Sequence, residues 1–171
     1  MRQTDKPADV VVIGLGQELR ADDAVGLEVV RRWQQQYPQT AASSLLRVEI
    51  SSLPGLQLLD LLEGADAAIL VDALQSGRPP GTILHLDHDA LAASETSPSA
   101  HGWGVAETLA LAEQLGTSLP EIILLAIEGE SVAMGPGISA TVEAALPEAV
   151  ERLQDLVSQH LQQTQPETAS S

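Results

Sequence analysis

Apolar positions along this chain come as short continuous runs and as spaced stripes, and the two alternate. Val10-Val11-Val12-Ile13 is a continuous β-branched run that stops at Gly14-Leu15-Gly16. It predicts a strand buried on both faces, the first central strand of a sheet. After a loop containing Arg20, residues 22 to about 36 place Val25, Val29, Trp33 and, on the adjacent line, Val30 at helical spacing. Two acids open this segment and Arg31-Arg32 follow, the order that suits a helix dipole. Residues 45–50 predict a second strand, and 54 to about 63 a helix with Leu56, Leu59 and Leu62 spaced by three. The wholly apolar stretch 67–71 predicts a third strand. Strand, helix, strand, helix, strand is the pattern of a parallel sheet.

Further on, Ser76-Gly77-Arg78-Pro79-Pro80-Gly81 is rich in turn formers and leads to a strand at about 82–86. A short helix is expected over 89–93 and a polar loop over 94–100. His101-Gly102-Trp103-Gly104 then opens a helix to about 115, with Leu109 and Ala112 on its apolar stripe. Residues 122–127 read as the last strand, 128–137 as a long loop with three glycines, and 139–162 as the terminal helix. Pro147 either kinks that helix or begins its second half. The expectation is an α/β three-layer sandwich, a twisted and mainly parallel sheet of about five strands with helices on both faces. It forms a single domain over 1–162, followed by a flexible tail over 163–171.

Composition narrows the function more than the fold. Aromatic residues are 2% of the 171 and Phe is absent, so Leu, Ile, Val and Ala must build the core. A formal net charge of −16 repels phosphate backbones and anionic lipid, which makes nucleic acid and membrane poor partners. With no cysteine, thiol nucleophiles, zinc fingers and iron–sulfur centres are excluded, and any metal must use oxygen and imidazole. No apolar stretch approaches the ~18 residues that span a bilayer, and the first nine residues lack a signal-peptide core; a cytoplasmic address is expected.

In an open parallel sheet, ligands bind beyond the carboxyl ends of the strands. Three places supply polar chemistry there: Asp22-Asp23 after the first strand, Asp72 after the third, and His101 at the mouth of a glycine-bearing helix. Each has a plain reading too. Either acid of the pair is an ordinary helix N-terminal residue, Asp72 a turn acid, and His101 a cap or a surface residue. Together, two carboxylates and an imidazole make a three-point metal site with open positions. The rival cluster His85-Leu86-Asp87-His88-Asp89 reads as a strand end, a solvated turn and a short helix capped by Asp87 or Asp89, with no further ligand nearby in sequence. His160, near the end of the terminal helix, suits the dipole and carries no chemistry. Gly14-Leu15-Gly16 lacks the third glycine of a dinucleotide fingerprint, since Leu19 stands there, and the acid pair would repel a pyrophosphate. Those glycines and Gly26 instead let the loop and helix approach the sheet.

Taken whole, Val11-Val12-Ile13-Gly14-Leu15-Gly16-Gln17-Glu18-Leu19-Arg20-Ala21-Asp22-Asp23-Ala24-Val25-Gly26 resembles the opening motif of the hydrogenase maturation endopeptidases. These are nickel-dependent proteases that trim the C-terminal extension from the large subunit of nickel–iron hydrogenases. The resemblance continues at Ile69-Leu70-Val71-Asp72-Ala73, at Ser99-Ala100-His101-Gly102-Trp103-Gly104 and at Ala126-Ile127-Glu128-Gly129, and spans the chain from Val10 to about Leu156. It implies Asp23, Asp72 and His101 as the three metal ligands, with Asp22 a weaker candidate for orienting them or moving a proton. It implies the large-subunit precursor as partner, and nickel as the metal, delivered in that precursor and replaceable in vitro by zinc or cadmium. A non-catalytic nickel-binding chaperone would use the same three residues. Gln17 replaces the family's usual Asn, a mild change expected to alter a loop hydrogen bond, and Ser51-Ser52-Leu53-Pro54-Gly55 lacks the Asp-Gly-Gly-Thr-like segment of many members.

Overall fold

The structure, a computed structural model, describes residues 9–52, 55–93, 104–131 and 133–164. Five strands occupy Val10–Leu15 (β1), Leu46–Ser51 (β2), Ala67–Leu74 (β3), Ile83–Asp87 (β4) and Glu121–Glu128 (β5). Helices run over Val25–Gln36 (α1), Pro38–Ala41 (α2), Gln57–Leu62 (α3), His88–Ala93 (α4), Val105–Gln114 (α5) and Ala140–Thr164 (α6). They form one sheet in the order β2-β1-β3-β5-β4. The pairs β1–β2, β1–β3 and β3–β5 are parallel, whereas β4 runs antiparallel to β5.

Strand alternation divides the core in two. Val10, Val12, Ile69, Val71, Leu125 and Ile127 face α1 and α6, where Trp33 is wholly buried. On the other face Val11, Ile13, Leu70 and Leu124 meet Leu58 and Leu62 of α3, Leu91 of α4 and Leu109 of α5. This is the expected three-layer sandwich, and all six residues of β1 are buried at its centre.

Several local expectations shift. The acid pair does not open an α-helix: Ala21–Ala24 is a 3₁₀ turn, and α1 starts at Val25. The buried leucines of α3 are Leu58 and Leu62, while Leu56 is exposed, so the stripe follows i, i+4 rather than steps of three. β3 runs three residues beyond Val71, because β5 continues to Glu128 and offers Ala126, Ile127 and Glu128 as partners for Asp72, Ala73 and Leu74. Asp72 therefore belongs to the strand rather than to the turn after it. Pro147 does not begin a separate second half, since α6 is continuous through it. Pro147 and Glu143 both lie on its exposed face, so the Glu143 carbonyl, deprived of its amide partner, stays within reach of water. His160, near the end of α6, is buried, its Nδ1 donating to the Leu156 carbonyl at 2.8 Å.

Candidate active site

Close backbone packing builds the site. Gly26 sits where a Cβ would lie 2.2 Å from the Val71 carbonyl oxygen and 2.4 Å from that of Leu15. Without a side chain there, the first turn of α1 is wedged against the carboxyl ends of β3 and β1 together. Gly16 has φ +145°, and a Cβ on it would fall 1.9 Å from the Asp23 carbonyl oxygen, so the loop leaving β1 folds directly onto the acid pair. Ala21 takes a left-handed φ of 46° to make the turn. These contacts confirm that the glycines serve close approach.

The turn aims its two acids differently. Asp23, only 4% exposed, accepts a hydrogen bond from the Gln17 backbone N–H at 2.9 Å, an interaction indifferent to the replacement of Asn by Gln. Asp72, half-buried, is on the sheet face covered by α3, α4 and α5, in line with Ala68 and Leu70. Burial first, and then the charge of Asp23, push its carboxyl up to about 7, while the Ala73 N–H, donating to Oδ1 at 2.8 Å, pulls the other way. Asp23 and Asp72 are thus close enough to feel each other across the ends of β1 and β3.

Asp22 is turned away from that pair. Fully buried, it accepts four hydrogen bonds: from the N–H groups of Glu130 (2.8 Å), Ser131 (3.0 Å) and Ser139 (2.7 Å), and from the Ser139 hydroxyl (2.9 Å). Burial pushes its carboxyl up most, yet the donors together outweigh it and hold it below the usual range. Its partners therefore give Asp22 the role of fastening the loop after β5 to the loop after β1. Backbone bonds from Ala21 N to Gly135 O and from Gly135 N to Leu19 O complete the seam.

Glu128, to which the sequence reading gave no role, is the second such clamp. Only 2% exposed, it accepts bonds from Ser76 N and Oγ, both at 2.8 Å, and from Gly77 N at 3.0 Å. The signal was present as an acid ending a wholly apolar strand before a glycine.

The third predicted ligand, His101, lies outside the described residues, as does the polar loop before it. The rival histidine cluster resolves into its plain reading. Asp87 caps α4 by accepting from Ala90 N at 2.8 Å, and His88 Nε2 bonds Glu113 Oε1 at 2.6 Å. Among the described residues no three His, Asp or Glu side chains are placed to share a metal ion.

A model of the HycI family, hydrogenase maturation proteases, matches residues 53–156. The chain belongs to the hydrogenase maturation protease family. The hydrogenase expression/formation protein HupD of Rhodobacter capsulatus is 30% identical over 155 residues, which cover 86% of this chain and 72% of that protein. Among solved structures, the hydrogenase maturating endopeptidase HybD from E. coli superimposes with a TM-score of 0.69 at 26% identity, covering 88% of this chain and 92% of that one. An endopeptidase from Escherichia coli, solved in solution, reaches 0.74 at 25% identity with the same two coverages. As a hydrogenase maturation protease the chain is a hydrolase of peptide bonds, which sets aside the non-catalytic chaperone. In this protease family setting, the carboxylate pair at the sheet's carboxyl end is the candidate centre of the chemistry.

Proposed function

We propose that this protein removes the C-terminal extension of a nickel–iron hydrogenase large-subunit precursor once nickel has been inserted, with Asp23, Asp72 and His101 taking hold of the nickel that the precursor brings. The observation that carries this reading is the pairing of Asp23 and Asp72, with Asp72 pushed up to about 7 beside a second acid. Two carboxylates gathered in one place repel each other, and a cation between them relieves the repulsion. A neutral imidazole from His101 would complete a site of oxygen and nitrogen donors suited to a borderline metal. The precursor supplies the remaining ligands, so cutting depends on a filled substrate and acts as a checkpoint. Held in this way, nickel would supply Lewis-acid polarisation of the scissile carbonyl and would lower the pKa of an attacking water. Water adds across the C–N bond, leaving a carboxylate on the mature subunit and an amine on the released extension. We place this reaction in the cytoplasm; among the described residues no helix is long and apolar enough to cross a membrane.

Incubation with precursor prepared with and without nickel tests the reading. The expected result is a mass loss equal to the extension only from the nickel-loaded form, abolished in Asp23→Asn, Asp72→Asn and His101→Ala. Asp23→Glu keeps the anion and should retain more activity than Asp23→Asn. Equal cutting of both precursor forms would remove nickel from the proposal. Wild-type cutting by Asp23→Asn with a dead but folded Asp22→Asn would move the ligand by one residue.

A further inference from the structure

Five large apolar side chains stand exposed among the described residues: Leu19, Ile50, Leu56, Leu115 and Met134. Leu115 follows α5 at the amino end of the parallel strands, whereas the other four lie at the carboxyl end, on the rim that carries Asp23 and Asp72. Leu19 and Met134 are the most exposed of these four, at 64% and 76%. They come from different loops, one after β1 and one after β5, and the Gly135 N to Leu19 O bond together with the Arg20–Gly135 bridge holds them side by side. Asp22 fixes both loops from beneath. Adjacent exposed apolar groups on hydrogen-bonded loops at the edge of a site offer apolar surface to a partner chain.

We infer that Leu19 and Met134 form the docking surface for apolar side chains of the substrate polypeptide beside its scissile bond, and so help decide which precursor is accepted. This rests on the proposed function. The occupant follows from continuity and charge. A chain presenting a peptide bond to Asp23 and Asp72 has to cross the adjoining loops. Acids border the patch, with Glu18 on one side, engaged by Arg31, and exposed Glu130 on the other, on a protein of net charge −16. An acidic segment is repelled there, so the segment that docks is apolar and neutral or basic.

The test is steady-state cleavage of nickel-loaded precursor by Leu19→Ser, Met134→Ser, the double variant and Leu115→Ser, with circular dichroism and thermal melting on each. All three positions are exposed, so the four variants should keep the fold and melting intact. Each rim variant should raise KM by about 5- to 20-fold with kcat within about 2-fold, the split expected when binding common to ground and transition states is lost. Leu19→Met should restore KM, and Leu115→Ser should match wild type. An unchanged KM in the double variant overturns the inference while leaving the protease reading standing. So does a fall in kcat alone, or wild-type self-association by sedimentation that the double variant loses without a change in KM. Failure of the wild type to cut nickel-loaded precursor overturns the proposed function and this inference with it.

Discussion

Asp22 and Asp23 are neighbours in sequence with opposite fates, and Asp72 makes the contrast measurable. Asp22 has a depressed folded-state pKa, so the stability it contributes is present above the unfolded value, about 3.9, and is lost as pH falls through the folded one. Asp22→Ala removes the buried carboxylate that the N–H groups of Ser131, Ser139 and Glu130 share, and should destabilise the protein by about 2–4 kcal/mol at pH 7, read by urea unfolding. Asp72 carries the other sign. The fold holds its proton up to about 7, so metal-free wild type should lose stability as pH rises from about 4 through 7. Asp72→Asn should then be more stable than wild type at pH 8, by roughly 1–4 kcal/mol, and no more stable at pH 4. A variant that is less stable than wild type at pH 8 would show that the strain attributed to Asp72 is absent.

At the scale of elements, the site is held by the fit of α1 against β1 and β3. The two nearest atoms that a Cβ at Gly26 would meet are backbone oxygens, at 2.2 and 2.4 Å, so neither can swing aside. Gly26→Ala should destabilise by about 2 kcal/mol or more and, by pushing the acid-bearing turn off β3, lower cleavage further than its stability loss explains. Ala21→Gly removes a left-handed Cβ and should be neutral or stabilising by up to about 1 kcal/mol, with the melting temperature as readout. The sequence made these elements legible where the pattern is local. The β-branched run of β1, the apolar stripe of α1 and the acids at the strand ends are all visible within a few residues. What escaped is set by distant partners. The extra length of β3 depends on β5, some fifty residues later. Asp22 looks like any helix-opening acid until Ser139 arrives 117 residues on, and Glu128 is explained by Ser76 and Gly77, 52 and 51 residues back. Asp23 and Asp72 could be placed at one rim by topology, but their mutual repulsion needed the packing of the turn that carries Asp23 against β3.

At the scale of the whole molecule, the fold gathers negative charge that a cation can relieve, so the proposed metal binding would be linked to folding. Nickel alone, or zinc, should bind weakly to the isolated protein, because three ligands without a thiolate leave the shell incomplete. Even weak binding to the folded state raises the melting temperature by mass action. The rise should be larger at pH 8 than at pH 5.5, since the ion must displace the proton that Asp72 keeps up to about 7. A chain of net charge −16 also attracts any cation diffusely, which by itself would stabilise it. The two effects separate at about 0.15 M salt, where the Debye length is about 8 Å and diffuse attraction between exposed charges is largely screened. Under that condition millimolar magnesium should shift melting little, nickel should still shift it in wild type, and Asp72→Asn and His101→Ala should both lose the nickel shift. If Asp72→Asn responds to nickel as wild type does, the ion sits elsewhere, and His85→Ala with His88→Ala is the next pair to melt. A nickel shift that survives there but fades with salt would make the effect one of net charge rather than of a site.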